Sequence, residues 1–316
     1  MSIFTTSPIQ QDLNGDKFPA IIAGSGDLSA FIRANKVAID FRLSTAGTVL
    51  FRGFDVPDPI ALDAAIEAYG EDGFSYAESL SNAVRVNVTP RVFTANEAPP
   101  SVTIFLHHEM AQTPIYPSKL FFYCEIAPET GGATPICRSD ALMLALQNAR
   151  PDLAVQFETK GLRYTHTMPN APDPESGQGR SWRDTLSVPD ELGAETRLKQ
   201  LGYDWLWLEN HSLRVTSPVL DAVKTLPDGR KVFFNQLIAA FRGWKDARND
   251  PNKSITYGDG VPVDPEDMAE IIDMADALTF DLDWQAGDVA LLDNFQVMHG
   301  RRPFSGKRRV LASLIG

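Results

Sequence analysis

Two histidines and a glutamate are the residues of this chain best suited to chemistry. Leu106-His107-His108-Glu109 follows the apolar run Val102–Leu106 (VTIFL). On an extended strand, residues two apart point the same way, so His107 and Glu109 share a face and His108 takes the other. One imidazole and one carboxylate supply two ligands of a facial metal site. His299, in Leu291–Arg302 (LLDNFQVMHGRR), can supply the third. Two His and one carboxylate with open positions suit a non-heme Fe(II) centre that activates oxygen, and zinc accepts the same donors. H-x-E alone is a weak signal, and its bland reading is an exposed turn after a strand. The segment after His299 (HGRRPFSGKRR) adds weight, because it sets a Pro/Gly turn and paired arginines close behind. A guanidinium fork holds a carboxylate bidentately, so an arginine near a metal can anchor the far end of a dicarboxylic cosubstrate. A solvated basic patch is the competing reading of those charges.

The elements that must position these residues are legible in outline. Short β-branched or aromatic runs recur at Gly47–Phe51, Val102–Leu106, Leu120–Ile126, Val289–Leu292 and Val310–Leu314, bounded by Gly, Pro, Asp or Asn. Helical periodicity is clearest over Asp27–Phe41 with an Asp cap, Ser139–Ala149 with a Ser cap, and Pro265–Leu278 with Pro and acids in its first turn. Met168–Arg180 and Arg242–Val263 read as long loops, and residues 160–185 and 242–263 are expected to act as lids over a site. Strands at both ends with helices between predict one α+β domain, residues 1–316, around a sandwich or barrel.

Composition narrows the class. Hydrophobic residues make up 43% of the 316 and charged residues 22%, which fits a globular chain with a large core. Lys plus Arg number 29 against 41 Asp plus Glu, a formal charge of -12, so affinity for nucleic acid or anionic membranes is not expected. Cys124 and Cys137 are too few for a disulfide framework, and Cys124 reads as a small buried hydrophobe. Neither a signal peptide nor an 18-residue apolar span is seen, so a cytoplasmic location is expected.

Several ordered pieces together resemble the TauD/TfdA family of Fe(II)/2-oxoglutarate dioxygenases, most of all its syringomycin-type amino-acid hydroxylases and clavaminate-synthase-like members. They are GTVLFRGF (47–54), VFTANEAPPSVTIFLHHEM (92–110), LFFYCEIAPETGGATPICRSD (120–140), FFNQ (233–236), YGDGVPV (257–263) and WQAGDVALLDNFQVMHGRRPFSGKRRVL (284–311). The resemblance implies a double-stranded β-helix (jelly-roll) core with covering helices and lid insertions. It implies Fe(II), 2-oxoglutarate and O2 as the reagents, with His107, Glu109 and His299 as metal ligands. It further implies Arg309 as partner of the distal carboxylate of 2-oxoglutarate and Thr134, of GGAT, as a donor to the same group. Strand alternation does not separate Arg308 from Arg309, because RRVLASL is apolar on both faces; family alignment favours Arg309 and keeps Arg308 in reserve.

The activity implied is hydroxylation of a C–H bond in a small amino acid or amino-acid-derived molecule, free or carrier-tethered, in natural-product biosynthesis. 2-Oxoglutarate leaves as succinate and CO2. Glu109 argues against halogenation, since family halogenases replace that carboxylate by a small residue. Ser313 and Ile136 stand where taurine-type members have Arg and Trp, which argues against sulfonates. Desaturation, epoxidation or cyclisation at the same iron, a non-catalytic binding protein on the same fold, and a zinc hydrolase stay open as alternatives. The last lacks H-E-x-x-H spacing and leaves the C-terminal arginine unexplained. A carrier protein and homo-oligomerisation are further partners the resemblance leaves open. His108 is expected to face away from the site. His166 and His211 are expected to be structural, and Trp205 and Trp207 to be core; Arg85 and Asn87 fall in a region where relatives contact substrate, and surface positions suit them equally.

Overall fold

A computed structural model describes residues 3–5, 10–13, 16–75, 80, 85–95, 98–173, 179–244 and 248–316. The apolar runs become a six-stranded sheet in the order Ala20–Ala23, Thr48–Arg52, Val289–Asp293, Lys119–Ile126, Arg309–Ile315 and Phe93–Thr94. Its first pair is parallel and the others antiparallel. The central strands are almost continuously buried, because both faces of the sheet are covered. Phe121, Tyr123, Val49, Leu291 and Leu311 pack under the helices Leu28–Ala46 and Pro59–Tyr69, through Ile32, Ile39, Leu62 and Ile66 among others. Leu120, Phe122, Cys124, Leu292 and Val310 on the opposite face share a core with Ile136, Leu282 and Val297 of a second sheet.

That second sheet is antiparallel, in the order Phe280–Leu282, Thr134–Arg138, Val297–Arg301 and Ile104–His107. On its outer side, Leu106, Cys137 and Met298 pack against Leu142, Leu146, Phe157 and Ile271. These come from the helices Ser139–Ala149, Pro151–Lys160 and Pro265–Ala277. Two sheets that share one core and carry helices on their outer faces form an α+β architecture. Cys124 and Cys137 are both buried free thiols. Among the described residues no helix is long and apolar enough to cross a membrane.

Two sequence expectations change. The segments expected to be lid loops contain regular structure: Leu162–Met168 and Ile255–Tyr257 join Leu213–Thr216 and Asp204–Trp207 in a further four-stranded sheet. Leu162, Tyr164 and Met168 of this sheet are buried, so a pleated surface is where these residues bury apolar area. Residues 174–178 and 245–247 of those segments lie outside the described residues. Trp205 and Trp207 pack, partly buried, against the cluster around Trp182. The second change is at Ser139, which is the first helical residue and makes no cap hydrogen bond.

The start of that helix is tied to the second sheet by charge. Asp140 accepts from Arg138, at the end of Thr134–Arg138, and from Arg230. Burial would raise the Asp140 pKa, but the two guanidiniums hold it below the ordinary carboxylate range. A depressed folded-state pKa contributes stability that is present above the unfolded value near 4 and is lost as pH falls through the folded value. Asp140→Asn is expected to cost about 3 kcal/mol at pH 7, as for breaking a buried pair. Urea midpoints of both proteins should converge as pH is lowered below about 4; a gap that is constant with pH would contradict this.

Gly300 is required where the strands Val297–Arg301 and Ile104–His107 meet. A Cβ there would lie 2.4 Å from the Ile104 carbonyl oxygen, so the neighbouring backbone must move. Gly300→Ala is expected to lower stability by about 1–3 kcal/mol and to weaken metal binding by parting His107 from His299. An unchanged urea midpoint would contradict the close approach.

Candidate metal centre and cosubstrate pocket

His107 is the last residue of its strand, and His299 is its direct cross-strand partner. Their rings lie 4.4 Å apart between centroids. Nδ1 of His107 is 2.8 Å from the Phe105 carbonyl oxygen and donates to it, which leaves Nε2 with its lone pair free to coordinate. Glu109 is not on the strand. The chain turns after His107, and the Glu109 carboxylate reaches within 3.6 Å of His299 Nε2. One ligand atom from each of His107, Glu109 and His299 lies within 4.8 Å of the others. These three are the residues selected from sequence, and the fold brings them to one spot, with Glu109 and His299 buried and His107 partly so.

The protonation states suit a cation. Burial, then the neighbouring His299, pushes the His107 pKa down to about 4, so its imidazole is neutral at pH 7. Burial would raise Glu109, but Arg85, His107 and His299 hold it well below the usual carboxylate range. Arg85 Nη2 stands 3.4 Å from both Glu109 carboxylate oxygens. Neutral imidazole and ionised carboxylate are the forms that bind metal. Nδ1 of His299 is buried without a hydrogen-bond partner among the described residues. A ring so placed, facing a carboxylate at Nε2, fits a metal ligand better than a satisfied core histidine.

His108 faces the other way, as expected, although the strand ends one residue before it. It is fully buried, lies beside the Asn294 carbonyl at Nδ1, and accepts at Nε2 from the Ser139 hydroxyl at 2.6 Å. Burial pushes its pKa down to about 3, so it is a neutral tether. The Ser139 hydroxyl, which sequence assigns to a helix cap, serves this imidazole instead.

Arg309 and Arg308 are placed differently. Arg309 is partly exposed, pairs with Glu125, and does not line the pocket that contains the triad. Arg308 lines it, together with Val310 two residues on. Alternation puts those two on one face and Arg309 on the other. The pairing of Arg309 with Ile126 and of Val310 with Cys124 leaves Glu125 as an extra, bulged residue, and this is the carboxylate that takes Arg309. Burial, then the nearby charge of Arg301, lowers the Arg308 pKa to about 10, and it stays a cation at pH 7. Its Nε–H donates to the Gly132 carbonyl at 2.9 Å, and no acceptor for its terminal nitrogens is found among the described residues. Thr134 is buried in the same pocket, and its hydroxyl oxygen accepts from Trp284 Nε1 at 2.9 Å, so its own hydrogen is available to a ligand.

Arg85, which the sequence leaves open between a substrate contact and a surface position, and Arg301, one of the paired arginines after His299, both line the pocket. Arg85 is far from His107 along the chain, in a stretch without clear periodicity. Arg301 donates to the carbonyls of Ala98, Pro99 and Val102 and so clamps the segment that leads into the His107 strand. Asn87 is exposed, His211 is an exposed turn residue, and neither these nor His166 lines the pocket. Tyr257, in the piece YGDGVPV that shares in the family likeness, belongs to the core against the outer helices.

Residues 11–314 match the family described as taurine catabolism dioxygenase TauD, TfdA family. The chain is 39% identical to a clavaminate synthase-like protein of Arabidopsis thaliana, over 98% of this chain and 97% of that one. It is 28% identical to the dapdiamide synthesis protein DdaC of Enterobacter agglomerans, over 88% and 84%. Among solved structures, an asparagine oxygenase in complex with Fe(II), 2S,3S-3-hydroxyasparagine and succinate matches with a TM-score of 0.56 at 13% identity, covering 90% of this chain and 79% of that one. With a family match over nearly the whole length, the chain belongs to the TauD/TfdA family and is an Fe(II)/2-oxoglutarate-dependent dioxygenase.

Proposed function

We propose that this enzyme hydroxylates an unactivated C–H bond of a small amino acid or amino-acid-derived substrate. 2-Oxoglutarate is decarboxylated to succinate and CO2 in the same turnover. The observation that carries the reading is one pocket holding His107, Glu109, His299, Arg308 and Thr134 together. Two similarities favour this substrate class, the dapdiamide synthesis protein and the asparagine oxygenase with its hydroxylated amino acid. In this reading the two sheets form a jelly-roll within a single domain of residues 1–316, and the protein works in the cytoplasm.

His107, through Nε2, Glu109 and His299 would hold Fe(II), which supplies oxygen activation when bound. Three protein donors leave coordination positions for cosubstrate and oxygen. Arg308 would take the distal carboxylate of 2-oxoglutarate with its terminal N–H groups, and its burial strengthens that pair over one in water. Thr134 would donate its hydroxyl hydrogen to the same carboxylate while Trp284 fixes the oxygen. Phe122 and Val310 form apolar wall beside these groups and exclude water from them.

An anaerobic visible spectrum with Fe(II) and 2-oxoglutarate tests the reading. A weak charge-transfer band is expected only when both are present, and Glu109→Ala should abolish it. The same band titrates the cosubstrate. Arg308→Gln is expected to raise the 2-oxoglutarate Kd about 10- to 100-fold, the worth of a charged hydrogen-bonded pair. Arg309→Gln should leave it within about twofold, since that side chain serves Glu125. Absence of the band from metal-loaded, folded protein would contradict the site, and the opposite ranking of the two arginines would contradict the assignment of Arg308.

A further inference from the structure

We propose that Asn294 is the residue that positions Glu109 to bind metal, an inference that rests on the metal-centre reading above. Glu109 stands where its strand has already ended. The next residue, Met110, has φ +59°, a left-handed conformation that costs a non-glycine residue of order 1–2 kcal/mol. An irregular, strained turn does not by itself hold a ligand carboxylate in one place.

The fully buried Asn294 side chain supplies what the strand ladder would have supplied. Its Oδ1 accepts from the Glu109 N–H at 2.8 Å, and its Nδ2 donates to the Glu109 carbonyl at 3.0 Å. The second Nδ2 hydrogen goes to the Pro117 carbonyl at 2.8 Å. One amide thus brackets both polar groups of the Glu109 backbone, and all of its donors are used. Its own backbone is fixed as well: the N–H donates to the Ser118 carbonyl at 2.9 Å, and the carbonyl lies beside Nδ1 of His108. Gln236 completes the frame by donating to the His108 carbonyl at 2.9 Å. Asn294 lies in the turn just before the His299 strand, so the same short segment sets two of the three ligands.

A second bracket of the same form gives an internal control. Buried Asn249 accepts from the Thr167 N–H at 2.7 Å and donates to the Thr167 carbonyl at 3.2 Å, and neither residue lines the metal pocket. A residue that only stabilises the fold changes Tm; one that positions a ligand also changes metal affinity of folded protein.

The test is a titration of full-length metal-free protein with Co(II), read by its visible absorption, beside Tm and far-ultraviolet circular dichroism. Asn294→Ala is expected to stay folded and raise the Co(II) Kd about 10- to 100-fold, as losses of ligand-orienting partners do. Asn249→Ala should lower Tm and leave the Co(II) Kd within about twofold. Asn294→Asp keeps the size and the acceptor but removes both donors, and it decides the matter if the alanine variant does not fold; it too should bind Co(II) at least tenfold more weakly, or about that. Folded Asn294 variants with wild-type Co(II) affinity would overturn the proposal and leave the metal centre standing. Wild-type protein that takes up no Co(II) would contradict the metal-centre reading, and the proposal would fall with it.

Discussion

The pairing of His107 with His299 across two antiparallel strands is the constraint on which the site depends. Residues far apart in sequence become neighbours because Val297–Arg301 lies between Ile104–His107 and Thr134–Arg138. A slip of one residue would send either imidazole to the opposite face. The register is therefore held by what is buried on each side. Val297 points into the core between the sheets and Met298 to the outer helices. Gly300 admits the Ile104 carbonyl, and Arg301 clamps the incoming segment at three carbonyls.

Charge is managed in layers around that pair. The imidazoles of His107 and His108 are kept neutral by burial, one poised for a metal and the other tied to Ser139. Glu109 is kept ionised by Arg85 first and by the His299 imidazole beside it. Further out, Arg308 remains a cation in a mostly buried pocket, which is where a dianionic cosubstrate gains most from one guanidinium. Arg301 adds positive charge to the same pocket and spends its donors on backbone, so the two arginines have separate tasks. Phe122 and Val310, with Arg308 beside them, come from the six-stranded sheet, while His107, His299 and Thr134 come from the second sheet, and the core the two sheets share keeps the halves of the pocket in register.

The parts legible in the sequence are those with a local pattern. The central strands and the three periodic helices show as apolar runs, and the H-x-E motif names His107 and Glu109, although Glu109 reaches His299 from the turn after the strand and not by strand alternation. The parts that are not legible depend on tertiary partners. Arg308 and Arg309 cannot be told apart in RRVLASL because both faces of that strand are buried; the bulge at Glu125 and its charge make the choice. Ser139 looks like a helix cap until His108, far away in sequence, is seen to take its hydroxyl. Leu162–Met168 reads as the edge of a loop because its pairing strands come from distant segments. For Arg85 the sequence leaves a substrate contact and a surface position equally open, and its approach to the Glu109 carboxylate decides for the pocket.

The most direct test of the account is a crystal structure of the protein grown anaerobically with Mn(II) and N-oxalylglycine, an inert analogue of 2-oxoglutarate. The account predicts one Mn(II) ligated by His107, Glu109 and His299, with the distal carboxylate of the analogue on Arg308 and Thr134. Metal bound elsewhere, or an analogue whose distal carboxylate meets Arg309, would contradict it.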